Sequence, residues 1–247
     1  MFLPFLKSID IMKKSSHTLL RSLAAAAFLL LANTASLHAQ KHDFADFDRY
    51  AEANAALPAP AKGEKRVVFM GNSITDMWAS MDPEFFSSHG YIGRGISGQT
   101  SYQFLLRFYQ DVIALKPNVV VINYGTNDIA ENTGKYDEDR TMRNILAMVD
   151  MAKANKIKVI LCSTLPAEYF KWRRDITDCM AKIRHLNDRV RAYAKANKIQ
   201  YVDYFAAMVT ADGRAMKPEY QKDSVHPNLN GYKAMEQIIV PAINKAL

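Results

Sequence analysis

A serine hydroxyl attacks a carbonyl only when a base takes its proton, and an imidazole does this best when a carboxylate fixes its tautomer. Ser73 lies in Gly71-Asn72-Ser73-Ile74-Thr75, directly behind the apolar run Val67-Val68-Phe69-Met70. That order places the hydroxyl where a buried strand turns into a helix. Glycine permits the tight turn, and helix N-terminal amides stabilise negative charge. Beyond residue 39 there are four histidines to serve as the base. His42 lies in a charged lead-in, His89 in a Ser-Ser-His-Gly loop and His185 in the middle of a helical stretch. His226 alone sits in a loop beyond the last apolar run with a carboxylate, Asp223, three residues before it. Pro227 restricts the backbone that follows. The pattern predicts His226 as general base toward Ser73 and then general acid toward the leaving oxygen, with Asp223 orienting it.

The elements that must position these groups alternate. Arg66 to Met70, Tyr91 to Ile96, Asn118 to Tyr124, Lys158 to Cys162 and Gln200 to Asp203 read as strands. Continuous apolar runs such as Val119-Val120-Val121-Ile122 suit strands covered on both faces. Ile145, Met148, Val149 and Ala152 recur at helical spacing, as do Ile183, Leu186, Val190 and Tyr193. A last stripe runs Leu229, Tyr232, Met235, Ile239, Ile243, with Pro241 as a late kink. These stripes are core faces. The alternation predicts an α/β chain: a three-layer α/β/α sandwich around a flavodoxin-like, mostly parallel sheet of five strands. In such sheets ligands bind beyond the carboxyl ends of the strands. Ser73, the segment Gly95-Ile96-Ser97-Gly98-Gln99-Thr100, the segment Gly125-Thr126-Asn127-Asp128 and the Asp223–Asn228 loop all follow strands, so all four fall on that edge.

With Gly71-Asn72-Ser73, Gly98 in Gly-Ile-Ser-Gly, Asn127 in Gly-Thr-Asn-Asp and Asp223-Ser224-Val225-His226 in this order, the chain resembles the SGNH hydrolases, also called the GDSL esterase/lipase family. The resemblance spans residues 66–246. It implies a serine esterase in which Ser73 is the nucleophile. The amide N–H groups of Ser73 and Gly98 and the side-chain amide of Asn127 would receive the oxyanion. A glycine at 98 lets backbone approach closely, and a neutral amide at 127 donates without a competing charge. Asn72 departs from the aspartate of the family name, and Arg94 stands where relatives commonly carry asparagine. Neither replaces a group that the chemistry needs.

Residues 1–39 read as a secretory signal: Lys13 and Lys14, the apolar run Leu23 to Leu31, then Ser36-Leu37-His38-Ala39. Met12 is an alternative start. The apolar run falls short of a membrane-spanning helix. The expectation is cleavage after Ala39, a secreted or periplasmic protein and no stable membrane insertion. Residues 40–65, with Pro58 and Pro60, read as a lead-in helix and linker, and 66–247 as one domain. Removing the signal reduces the formal +7 to +4, from 28 basic and 24 acidic residues. No basic block interleaved with aromatics appears, which argues against nucleic-acid binding. Cys162 and Cys179 are the two cysteines, and a disulfide and two buried thiols both remain open. No metal-ligand spacing occurs and no cofactor is implied.

Substrate choice rests on less. Pro166 to Arg174 follows the fourth strand and mixes aromatics with positive charge. Trp172 in it, and Trp78 after the nucleophile turn, are the candidate walls for a substrate. No long apolar lid suits long acyl chains. The expectation is a short acyl ester, acetyl above all, on a carbohydrate, partly by analogy with exported SGNH relatives. Competing readings are a lysophospholipase or thioesterase on the same triad, a non-catalytic carbohydrate-binding protein, and a nucleotide binder. The last lacks a Walker lysine in the Gly71 turn.

Overall fold

In the computed structural model, which describes residues 43–247, five strands form one sheet in the order β2-β1-β3-β4-β5, every pair parallel. They are β1 Val67–Gly71, β2 Tyr91–Gly95, β3 Val119–Ile122, β4 Lys158–Cys162 and β5 Gln200–Val202. The expected signal, residues 1–39, lies outside the described residues. The chain divides into two units, residues 1–46 and 47–247. Of the first, only residues 43–46 are described, in a turn where the Ala45 N–H donates to Asp43 Oδ1 at 3.1 Å.

The second unit carries nine α-helices among the described residues: α1 Ala51–Ala56, α2 Ser73–Met81, α3 Pro83–His89, α4 Ser101–Asp111, α5 Thr126–Ile129, α6 Glu138–Ala154, α7 Cys179–Ala196, α8 Tyr204–Met208 and α9 Leu229–Ala246. Side chains alternate across a strand, and β1 shows the consequence. Val68 and Met70 pack on one face with Phe104 and Phe108 of α4, Met148 of α6 and Leu186 of α7. Val67 and Phe69 pack on the other with Ile74 and Trp78 of α2, Phe85 of α3 and Tyr232 and Ile239 of α9. This is the expected three-layer sandwich.

The stripes on α6 and α7 are buried, with Tyr193 partly so. Leu229 departs from its stripe: at the first position of α9 it is 45% exposed. Pro241 sits inside α9, which continues through it to Ala246. Helix α4, which no stripe flagged, has its own signals. Phe104 and Phe108 stand one turn apart, and Thr100 with Gln103 forms a capping box.

Cys162 belongs to the α9 face of the sheet and Cys179 to the opposite face, so the sheet itself keeps the two thiols apart; both are free and buried. Burial pushes the Cys162 thiol up to about 12. Only a thiolate reacts readily with a disulfide reagent. Native protein at pH 8 is therefore expected to release almost no thionitrobenzoate from Ellman's reagent, and denatured protein the equivalent of two thiols. Prompt reaction of the native chain would contradict this packing.

Candidate active site

The Ser73 turn is built by its capping residue. Asn72 is the N-cap of α2, and its side-chain oxygen accepts the Ile74 N–H at 3.0 Å. Its carbonyl accepts the N–H groups of Thr75 and Asp76. Asparagine thus does the capping work of an aspartate without the charge. The first N–H groups of a helix have no acceptor within it, and Ser73 is the first residue of α2.

Ser73 Oγ lies 2.9 Å from His226 Nε2, across 153 residues of sequence. His226 Nδ1 lies 2.9 Å from Asp223 Oδ2. The second carboxylate oxygen, Oδ1, accepts the N–H groups of Val225 and His226, each at 2.8 Å, so one Asp-x-x-His turn fixes both residues. Burial pushes the Asp223 carboxyl up. The hydrogen bonds from His226 and Val225 pull it down further, and it ends below its usual value. The loop is held at its base: Lys222 N–H bonds His226 O at 2.8 Å, and Asn228 caps α9 by accepting the Gly231 N–H. From the next turn Tyr232 donates its hydroxyl to Ile74 O at 2.9 Å, fastening α9 to α2.

Beside Ser73, His226 and Asp223 lies the loop after β2. A Cβ at Gly95 would stand 2.2 Å from the Asp76 nitrogen, so only glycine lets the end of β2 lie against the Ser73 turn. Gly98 has φ +80°, which favours glycine again. Asn127, at the second position of α5, donates from Nδ2 to Gln99 O at 2.9 Å. An amide nitrogen carries two hydrogens, so this bond orients the group and leaves one hydrogen to donate. Its neighbour Asp128 is buried and accepts the Ser101 amide, the Ser101 hydroxyl and the Thr141 hydroxyl. Burial pushes that carboxyl above its usual value despite these bonds.

The two tryptophans differ. Trp78 is not a substrate wall. It is fully buried under the sheet because it follows Ile74 by one turn on the apolar face of α2. It stacks on Phe85 at 5.2 Å and on Tyr232 at 5.4 Å, and meets Phe69 edge-on. Trp172 is 46% exposed, and its indole N–H donates to Asn132 Oδ1 at 2.8 Å. Asn132 Nδ2 donates in turn to Gly98 O at 3.0 Å. One residue therefore separates Trp172 from the glycine loop. Arg173 binds the Trp172 segment to Glu131 and to the Ala130 carbonyl. The same segment borders a depression of about 550 Å³ whose walls include Glu168, Tyr169, Arg174 and Arg214.

Sequence reasoning did not find Arg107, buried in α4, or the Arg94–Asn54 contact. Arg107 and Asp111 stand four residues apart, which ordinarily reads as a surface ion pair. Only their place among Phe104 and Phe108 hinted at burial. Among the described residues no group of three or more histidine, cysteine or carboxylate side chains is arranged to hold a metal ion.

A model of the GDSL-like Lipase/Acylhydrolase family matches residues 69–234, more than half of the chain. A crystal structure of a GDSL-like lipase from Bacteroides thetaiotaomicron VPI-5482 superposes with a TM-score of 0.82 at 61% identity, covering 83% of this chain and all of that one. An acetyl xylan esterase structure superposes with a TM-score of 0.59 at 25% identity, covering 72% of this chain and 98% of that one. An acetylxylan esterase of Xylanibacter ruminicola is 26% identical over 229 residues, 76% of this chain and 45% of the relative. The chain spans less than half the length of the curated relatives it matches.

Trp78 as a packing residue has a measurable consequence. Trp78→Ala is expected to cost about 3–5 kcal/mol in urea unfolding, the usual penalty for emptying an aromatic core position. A loss under about 1 kcal/mol would contradict its burial.

Proposed function

Since the chain belongs to the GDSL-like lipase/acylhydrolase family, we propose that it is a serine esterase that hydrolyses short acyl esters, acetyl above all, on a carbohydrate. The observation that carries this reading is the Ser73–His226–Asp223 chain, with 2.9 Å at each step.

Ser73 Oγ attacks the ester carbonyl carbon while its proton passes to His226 Nε2. Asp223, held ionised by its three donors, stabilises the imidazolium that forms. The Ser73 and Gly98 amides and the Asn127 side chain receive the tetrahedral oxyanion. As the C–O bond breaks, the Nε2 proton goes to the departing alcohol oxygen, leaving the acyl group on Ser73. A water then attacks the acyl-enzyme and gives its proton to Nε2. Collapse of the second tetrahedral intermediate releases the carboxylic acid and returns that proton to Ser73.

Two observations support an acetylated sugar. The relatives named as acetyl xylan esterases act on such esters by name. Trp172 offers a half-exposed indole beside the glycine loop, suited to lie against a sugar ring. Export is part of the reading too, carried by the order of basic, apolar and small residues over 1–39.

The test is acetate release from acetylated xylan, alongside p-nitrophenyl esters of graded acyl length. The expected result is acetate release, with acetyl the best model ester. Asn127→Ala should lower kcat by about 10²–10³. Rates that climb with chain length would move the assignment to a lysophospholipase or thioesterase. Hydrolysis of no ester by the folded protein would leave a carbohydrate-binding protein.

A further inference from the structure

Arg107 is fully buried, and its guanidinium reaches three separate segments around it. It donates to Gly71 O at 3.0 Å, two residues before Ser73. It donates to Arg94 O at 2.9 Å, near the end of β2. Its Nε donates to Gln99 Oε1 at 2.6 Å, next to Gly98. Its fourth partner, Asp111, is equally buried, at 2.9 Å. A surface ion pair would need none of this. A planar fork of donors is what fixes several acceptors at set distances.

The ring does not close within residues 66–247. Asp111 Oδ1 accepts from Asn54 Nδ2 at 2.7 Å, and Asn54 Oδ1 accepts from Arg94 Nε at 2.8 Å. Asn54 belongs to α1, in the stretch that the sequence marks as a lead-in. Tyr50, just before it, donates its hydroxyl to Gly95 O, and the Arg94 guanidinium lies 4.7 Å over the Tyr50 ring. Arg94, one of the departures from the family pattern, thus helps dock the lead-in, with Asp111 and the Gly95 carbonyl. The lead-in binds the same loop that carries Gly98.

We infer that Arg107 is a positioning residue that sets the distance between the Ser73 turn and the Gly98 loop, and that the lead-in segment 50–54 clamps it through Asn54. The inference rests on the esterase reading for its effect on rate, but not for its effect on the loop. Loss of the clamp leaves Asp111 and Arg94 each short of one partner, and the fork that spans Gly71, Arg94 and Gln99 loses its fixed end. Small displacements of oxyanion donors act on the transition state and spare substrate binding.

Asn54 is partly exposed, so Asn54→Ala leaves the core intact. Three readouts are compared with the wild type: steady-state kinetics on p-nitrophenyl acetate, inhibition by a short alkyl boronic acid, and amide exchange by mass spectrometry. The expected result is a roughly tenfold lower kcat with KM within about twofold, and boronate affinity falling by the same factor as kcat. Amide exchange over 95–99 should speed up while 119–122 stays unchanged. Arg107→Lys, which keeps the charge but loses the fork, should show the same pattern more strongly. Unchanged exchange over 95–99 in Asn54→Ala overturns the inference, whatever the wild type hydrolyses. So does a kcat within twofold of an active wild type, or a fall in kcat without a matching loss of boronate affinity. A wild type inert toward every ester, together with faster exchange at 95–99 in the variant, overturns the esterase reading and supports the clamp.

Discussion

The carbonyl of Gly71 marks where the sheet ends and the Ser73 turn begins, and two donors hold it: the Ile96 N–H at 3.1 Å and the Arg107 guanidinium at 3.0 Å. Ile96 lies in the loop after β2 and Arg107 in α4 behind it, so the glycine loop and the serine turn are tied at one atom. The tie relies on charge buried away from water. Taking Arg107 and Asp111 out of solvent is costly, and the pair is tolerable only because nearly every polar atom finds a partner. Removing one member of such a pair typically costs about 3–5 kcal/mol. The arrangement therefore gains little stability over an apolar core. What it supplies is a fixed geometry between two loops that side-chain packing alone would leave free to slide.

The rest of the site is hung from the opposite faces of the same sheet. On one face α9 brings the Asp223–His226 loop to the serine, and Tyr232 locks it to the carbonyl of Ile74 in α2. Trp78 stacks between Phe85 and Tyr232 and so joins α2, α3 and α9 on that face. On the other face Asp128 joins α5 to Ser101 and Thr141, which sets the helix that carries Asn127. Three groups from three chain segments converge because each segment is anchored by its own buried polar contact, not by long-range charge.

The sheet and the juxtaposition of Ser73, His226 and Asp223 were legible in the sequence for physical reasons. Strands covered on both faces must be continuously apolar, and Val67 to Met70 and Val119 to Ile122 are. A serine behind such a run and an Asp-x-x-His before a helix are short-range patterns, so each can be read without knowing the fold. Residues whose role depends on tertiary context were not legible. Arg107 reads as a surface residue of an amphipathic helix until burial reveals its partners. Trp78 reads as a plausible wall because the sequence shows its distance from Ser73 along the chain but not the side of α2 on which it lies. Leu229 failed in the opposite sense, since helical spacing cannot say where a helix's first turn leaves the core. The lead-in was legible as a helix, but its contacts through Tyr50 and Asn54 with Gly95, Arg94 and Asp111 were not, because they depend on tertiary context.

The central claim is that Ser73, activated by His226, is the nucleophile. A fluorophosphonate probe tests it directly, since it bonds covalently only to a serine so activated, and peptide mass spectrometry reads where the label sits. The expected result is one label per chain, on the peptide that contains Ser73, and none in Ser73→Ala protein that still folds. A folded wild type that takes up no label, or takes it up on another residue, would contradict it.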